Sequence, residues 1–367
     1  MKIFVEKAKL ENELRLFQGI FEKKAIMEIL QNIKLSAMDG GVLELVATDL
    51  EIGLVSNLQV EVKNVGSFTV NGKDLYDLVS KMPDGMIEIS EDNDLQVVIT
   101  NEKKTCKYKM LGLQSADYPE LPANDMSAAV SLPLADLQAM INNCYYVISP
   151  ELKFNLGGAL MSISKNKLEM AATDGHRLSY SFFAADTGVG ETVEYILSRK
   201  TLLEVLKIGS AGEVEFAFDN NNLFFKHKNR VLCSRIVDQK FPNYKTVIPD
   251  KTEQTAVVKT EELLQTLRRI LIFKTRNNGV VFKFSKNKLV LERTTPEKGE
   301  GYDEIPVEFP GKPVSVGFNG NFILDFLTHI DAEKIAIGMN DSESSFQFKP
   351  LNGSGSHFIY IVMPLNI

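Results

Sequence analysis

The chain has 367 residues, 44 % of them hydrophobic and 24 % charged, and a net charge of −7. Such a composition suits two or three domains with real cores and excludes a disordered protein, while no apolar run approaches the roughly 20 residues that span a bilayer. The acidic balance excludes tight DNA binding through bulk charge, since such binding needs a basic stripe to displace condensed counterions.

Taken in chain order, the predicted elements come three times. A helix starts at Ala8, with Leu10, Leu14, Phe17 and Phe21 at helical spacing. Strands are predicted in the run from Val42 and in Gly66 to Val70, and a second helix from Asn71. A strand from Met86, the polar turn Asp92-Asn93-Asp94 and a second alternating run then make a β-hairpin. The series returns with a helix from Ala135, strands in the run from Lys167, a strand at Tyr195 to Leu197, a helix from Ser198 and a hairpin from Glu213. It returns again with a helix from Thr260, strands in the run from Lys288, a helix from Asn319 and a hairpin from Lys334. Leu10, Leu137 and Leu263 recur at intervals of 127 and 126 residues, and Leu75, Leu202 and Ile323 at 127 and 121. A repeat in this order outranks any single motif. Segments rich in Pro and Asp, around Pro119 and Pro242, close the first two thirds. The predicted fold class is α+β: three similar domains over 1–124, 125–249 and 250–367, each a duplicated β-α-βββ unit. The third copy departs, with Arg293-Thr294-Thr295 where the others carry Ala-Thr-Asp.

Such an array ends in open sheet edges, which need pairing, and a head-to-tail contact that closes a ring pairs both. If a ring holds duplex DNA, basic helices should line it. Lys9, Arg15, Lys73, Lys81, Arg199, Lys200, Lys207, Arg268 and Arg269 lie on the predicted helices, with Lys23 and Lys24 after the first. For any one of these a solvated helix face is the ordinary reading, and no Lys or Arg occurs between Leu134 and Ser149. Glu6 interrupts the N-terminus before an apolar leader could form. Cys106, Cys144 and Cys233 are too scattered for a disulfide framework or metal site, so free thiols in a cytoplasmic protein without metal or cofactor are expected.

Asp174 and His176 would share a face of one strand and so suggest a catalytic pair. No nucleophile elbow, HExxH or phosphate loop accompanies them, and His227, His329 and His357 show no ligand spacing. A hydrolase remains a second reading, and a peptide-docking scaffold that never encircles DNA a third. Retention on circular DNA, lost on linearisation, separates the scaffold from a ring.

The segment Ala172-Thr173-Asp174-Gly175-His176-Arg177-Leu178 resembles the bacterial DNA polymerase III beta subunits. The opening Met1 to Leu10, Ala47 to Glu51, Asp117-Tyr118-Pro119, Phe241 to Tyr244 and Val362 to Leu365 are similar to that family as well, so the resemblance spans the chain. It implies a non-enzymatic sliding clamp: a head-to-tail homodimer whose ring encircles duplex DNA without reading sequence. Such a ring tethers the polymerase III catalytic subunit, and docks the clamp loader, other polymerases and repair proteins through short linear motifs. Topological retention would also reconcile the acidic charge with DNA.

The resemblance implies a partner groove at Leu156, at Thr173, Gly175, His176, Arg177 and Leu178, at Pro242 and Val247, and at Val362, Met363, Pro364 and Leu365. Apolar walls there would take apolar side chains, Met363 would adapt to several partners, and His176 and Arg177 would offer donors. Thr246 and Asn366 depart from basic residues in the family's pattern. Lys24, Lys73, Arg199, Lys200, Lys207 and Arg268 are expected to face DNA. Cys106, Lys107, Ile272, Phe273, Glu300, Tyr302 and Glu304 are expected at the subunit junction. There a strand Thr105 to Met110 would meet Gly299 to Ile305, with Lys103, Lys104, Lys107 and Lys109 facing Glu297, Glu300, Asp303 and Glu304.

Overall fold

Short alternating runs between polar turns become antiparallel strands, and the apolar stripes become helices laid against them. The computed structural model describes residues 1–21, 27–92, 95–123, 126–149, 156–273, 277–295, 299–351 and 357–366. The first third contains β1 (Lys2–Glu6), α1 (Lys7–Phe17), β2 (Asn32–Met38), β3 (Val42–Thr48), β4 (Ile52–Gln59), β5 (Glu61–Asn64), β6 (Gly66–Asn71), α2 (Gly72–Lys81), β7 (Met86–Glu91), β8 (Gln96–Asn101) and β9 (Lys107–Leu113). The second contains β10 (Val130–Pro133), α3 (Leu134–Cys144), β11 (Gly158–Ser164), β12 (Lys167–Thr173), β13 (Arg177–Ala184), β14 (Val193–Ser198), α4 (Arg199–Val205), β15 (Glu213–Phe218), β16 (Asn222–His227) and β17 (Arg230–Arg235). The third contains β18 (Gln254–Lys259), α5 (Thr260–Ile270), β19 (Gly279–Ser285), β20 (Lys288–Thr295), β21 (Gly299–Pro306), β22 (Val314–Asn319), α6 (Gly320–His329), β23 (Lys334–Met339), β24 (Phe346–Leu351) and β25 (His357–Val362). The α+β class and the duplicated β-α-βββ unit both hold; β5 is an extra strand of the first third.

The helices keep the repeat's local chemistry. Asn71 and Asn319 cap α2 and α6 by accepting from the backbone N–H of Asp74 and Asn321. The glycine after each cap permits close approach: a Cβ on Gly72 would strike the Phe21 ring, and one on Gly320 the Leu271 side chain. α1 buries Leu10, Leu14 and Phe17, and α5 buries Leu263, Leu267 and Ile270.

The chain divides into two compact units, Met1–Ala135 with Lys200–Ile236 and Asp136–Arg199 with Val237–Ile367. This division follows the sheets and cuts across the repeat. The first unit holds one 13-stranded sheet, β10-β15-β16-β17-β4-β3-β2-β6-β9-β8-β7-β1-β5. The second holds an 8-stranded sheet, β14-β11-β12-β13-β25-β24-β23-β18, and a 4-stranded sheet, β21-β20-β19-β22. β4 pairs with β17, placing Leu54 opposite Leu232, and β13 pairs with β25, placing Leu178 opposite Ile361. In both cases the strand after an Ala-Thr-Asp turn pairs with the last strand of the following third. Beneath the sheets lie fully buried aromatics, Phe17, Phe68, Phe216 and Phe224 in the first unit and Phe282, Phe318, Phe326 and Phe346 in the second.

Two sequence expectations shift. The third copy's turn threonine is Thr295, whose Oγ1 donates to Gly299 O (2.8 Å) as Thr48 Oγ1 does to Ile52 O (2.9 Å) and Thr173 Oγ1 to Arg177 O (2.7 Å). The correspondence with Arg293-Thr294-Thr295 is therefore one residue out of register. The strand predicted from Thr105 begins instead at Lys107. Asn101 Oδ1 accepts from the backbone N–H of Thr105 (2.9 Å) and Cys106 (3.2 Å), and Lys104 sits at φ +53°, so this segment is a turn held by Asn101.

Candidate functional site

The turn between β12 and β13 is built by its own polar side chains. Asp174 Oδ1 accepts from the backbone N–H of His176 (3.0 Å) and Arg177 (3.1 Å), and Thr173 Oγ1 accepts from that of Gly175 (3.0 Å). Gly175 adopts φ +88°, where a side chain would be strained. Asp174 and His176 lie on this turn and not on a strand face, and Asp174 is committed to holding it. The expectation that they share a strand face is thereby corrected.

Beside the turn opens a cavity of about 330 Å³. The turn supplies Thr173, Gly175, His176, Arg177 and Leu178 to its wall, and Leu156 lies under it. The segment after β17 supplies Pro242, Asn243, Tyr244 and Val247, and the end of β25 supplies Ile361 and Met363. Nine of the twelve residues expected here thus come together. Val362 does not join them: it is fully buried on the other face of its strand, because side chains alternate and Ile361 and Met363 share the open side. Pro364 and Leu365 leave the wall as the tail turns away, and Leu365 N–H donates to Gly317 O (2.8 Å). Sequence reading missed Asn243, Tyr244 and Ile361 as wall residues. Strand alternation pointed to Ile361, and Asn243 and Tyr244 directly follow Pro242 in the same linker. Thr246 is exposed and donates to Asn243 O (2.9 Å), closing its own short turn, and Asn366 is exposed.

Leu178, Tyr244 and Ile361 belong to one buried cluster with Leu160, Ala171, Tyr180 and Ile196, so the floor is part of the core. Met363 and Val247 rise from it exposed. A backbone bond from Met363 N–H to His176 O (3.0 Å) fixes the tail against the turn. The expected role of Arg177 as a free donor needs correction. Its side chain is only 9 % exposed, and its guanidinium is spent on Asp174, Asp325, Tyr360 and the Tyr146 carbonyl. Burial works against its charge, but Tyr360 and Asp325 beside it hold its pKa above the ordinary arginine value.

The basic residues expected to face DNA fare unevenly. Lys24 lies outside the described residues. Lys73 and Arg268 are exposed and make no ion pair among the described residues. Arg199 is exposed, donates through Nε to Tyr145 O (3.3 Å) and lies 5.8 Å over the Tyr145 ring. Lys200 is instead an internal tether, half-buried between Asp49 and the Ile20 carbonyl, and Lys207 pairs with the buried Glu204 at 2.7 Å. A helical position alone did not reveal those acidic partners.

At the expected junction, β9 exposes Lys107, Tyr108 and Leu111, the last 80 % exposed. Cys106 is half-buried in the turn before it. On the other segment Ile272 is 72 % and Tyr302 62 % exposed, while Phe273 is half-buried near Gly299 and Gly301. Glu300 is exposed. Asp303 pairs with Arg269 at 2.6 Å and Glu304 with Lys288 at 2.8 Å, so two carboxylates meant for the facing lysines already have partners. Lys109 donates to Gln96 Oε1, and Glu297 lies outside the described residues.

Duplicated β-α-βββ units, repeated three times and sharing sheets across the repeat, define the DNA-clamp class of α+β proteins. Models of the DNA polymerase III beta subunit match the chain in three parts: the N-terminal domain at residues 1–122, the central domain at 131–243 and the C-terminal domain at 245–366. A beta sliding clamp of Vibrio cholerae is 27 % identical over the full length of both chains. The crystal structure of DNA polymerase III beta subunit from Thermotoga maritima is 27 % identical with a TM-score of 0.92, covering 100 % of this chain and 99 % of that one. A sliding clamp from Pseudomonas aeruginosa bound to griselimycin is 26 % identical with a TM-score of 0.93, covering all of both chains. The chain belongs to the DNA polymerase III beta subunit family, the beta sliding clamps.

Proposed function

We propose that two copies of this sliding clamp close head to tail into a ring around duplex DNA, and that each copy docks partner segments in the groove beside Met363. The observation that carries the ring is the pattern of strand pairing. β4 takes β17, and β13 takes β25. The third strand of that kind, β21, pairs only with β20, and β9 keeps an open edge beyond its short pairing with β6, among the described residues. Pairing β21 of one copy with β9 of another completes the series and covers Leu111, Tyr108, Ile272 and Tyr302. Two copies satisfy each other's edges, which is the closed solution for a heterologous contact.

The domains of this reading end near residues 124 and 249, where the repeat's linkers fall. The protein catalyses nothing: it lends processivity to the polymerase III catalytic subunit and serves the clamp loader, other polymerases and repair proteins through their short apolar motifs. Lys73, Arg199 and Arg268 meet phosphates only, with no sequence preference. No helix among the described residues is long and apolar enough to cross a membrane. The test is sedimentation: Ile272→Asp with Phe273→Asp should turn a species of about twice 41.0 kDa into monomers. A dimer unchanged by both substitutions would place the junction elsewhere.

A further inference from the structure

Arg177 stands in the groove wall, yet its guanidinium looks inward. Nε donates to Asp174 Oδ2 (2.9 Å), one terminal nitrogen to Asp325 Oδ2 (2.7 Å) and Tyr360 OH (3.2 Å), and the other to Tyr146 O (3.3 Å). Four of the five N–H donors of a guanidinium are thereby used. Its flat face lies 4.4 Å from the Phe322 ring, and that ring stacks on His176 at 6.4 Å. A single side chain therefore ties the 174–176 turn to α6, to β25 and to the segment after α3.

Two groove walls hang from that turn. Thr173, Gly175 and His176 are part of it, and Met363 is fixed by its bond to His176 O. Asp325 sits on α6, is not part of the groove wall, and among the described residues meets that wall through Arg177. We propose that Arg177 is a positioning residue of the groove and that Asp325, at one remove, sets how tightly the groove holds a ligand. The fork geometry suits this task, because a guanidinium fixes several acceptors in one plane where an ammonium offers a point charge. A wall held in place before binding spares the ligand the cost of ordering it. The proposal rests on the reading of the groove as the docking site.

The test is calorimetry of the full-length chain with griselimycin as probe, alongside melting temperatures. Asp325→Ala should weaken binding about tenfold, the scale of coupling within one ion-pair network. Asp325→Asn, which keeps the shape and one acceptor, should weaken it by about threefold, and Arg177→Lys should weaken it although the charge remains. A merely structural pair would lower the melting temperature and leave the affinity of the folded protein untouched. An Asp325→Ala protein that binds within a factor of about two of the unmodified chain overturns the proposal. Met363→Asp separates the two levels. If it binds as the unmodified chain does, the groove reading itself fails; if it loses the ligand while Asp325→Ala does not, only the positioning role fails.

Discussion

The chain carries the Ala-Thr-Asp turn twice, in two different surroundings. In both, the threonine hydroxyl donates across the turn and accepts the N–H two residues on, and the aspartate accepts the next two backbone N–H groups. Even the backbone matches, with Leu50 at φ +76° and Gly175 at φ +88°. The surroundings differ. At the first turn Ile52 is buried, Lys200 takes the Asp49 carboxylate, and Leu121 packs against Gly53 and Cys233. Tyr118 OH accepts from Thr48 N–H (3.2 Å) and donates to Asn32 O (3.0 Å), so the linker's tyrosine is tied to that turn. At the second, Arg177 replaces Ile52 and draws inward, leaving the cavity between the turn, the linker and the tail. The lesson is that this turn is a frame, and that neighbouring side chains decide whether it borders a site.

The largest difference between the turns should appear on removing their aspartates. Asp174→Ala leaves a buried guanidinium short of one partner as well as two backbone donors, and should cost about 3 kcal/mol. Asp49→Ala frees only a half-exposed ammonium, so it should cost about 1 to 2 kcal/mol, most of it from the backbone bonds. Urea unfolding of the two proteins checks the order, and equal losses would remove the contrast drawn between Arg177 and Lys200.

A smaller effect concerns Tyr118. Burial pushes its phenol up to about 12, with the Thr48 N–H pulling the other way. The neutral form is the one the fold holds, so its contribution is intact below pH 10 and is lost as pH rises toward 12. Tyr118→Phe should cost about 1 kcal/mol at neutral pH, one hydrogen-bonded hydroxyl's worth. It should also flatten the decline in stability between pH 10 and 12 relative to the unmodified chain. An unchanged decline would mean that other groups carry it.

Much of this was legible before the structure, for identifiable reasons. Helical spacing at Leu10, Leu137 and Leu263 placed three helices, and alternating runs such as the one from Glu213 placed the hairpins, because both signals are local. Nine residues expected to lie together also line one cavity, because their motifs keep their spacing. The rest depended on partners distant in sequence. Nothing near Lys200 in the chain announces Asp49, and nothing near Arg177 announces Asp325 or Tyr360. Val362 was misassigned although strand alternation was there to read, because the tail was taken as one block.

The groove proposed above borders the second of these turns, with the first as its natural control. Calorimetric titration of the chain with griselimycin tests it most directly, with Met363→Asp and Leu50→Asp as companions. One ligand should bind per chain, with binding lost in Met363→Asp and unaltered in Leu50→Asp, whose side chain is exposed at the first turn. Two ligands per chain, or binding that survives Met363→Asp and fails in Leu50→Asp, would contradict it.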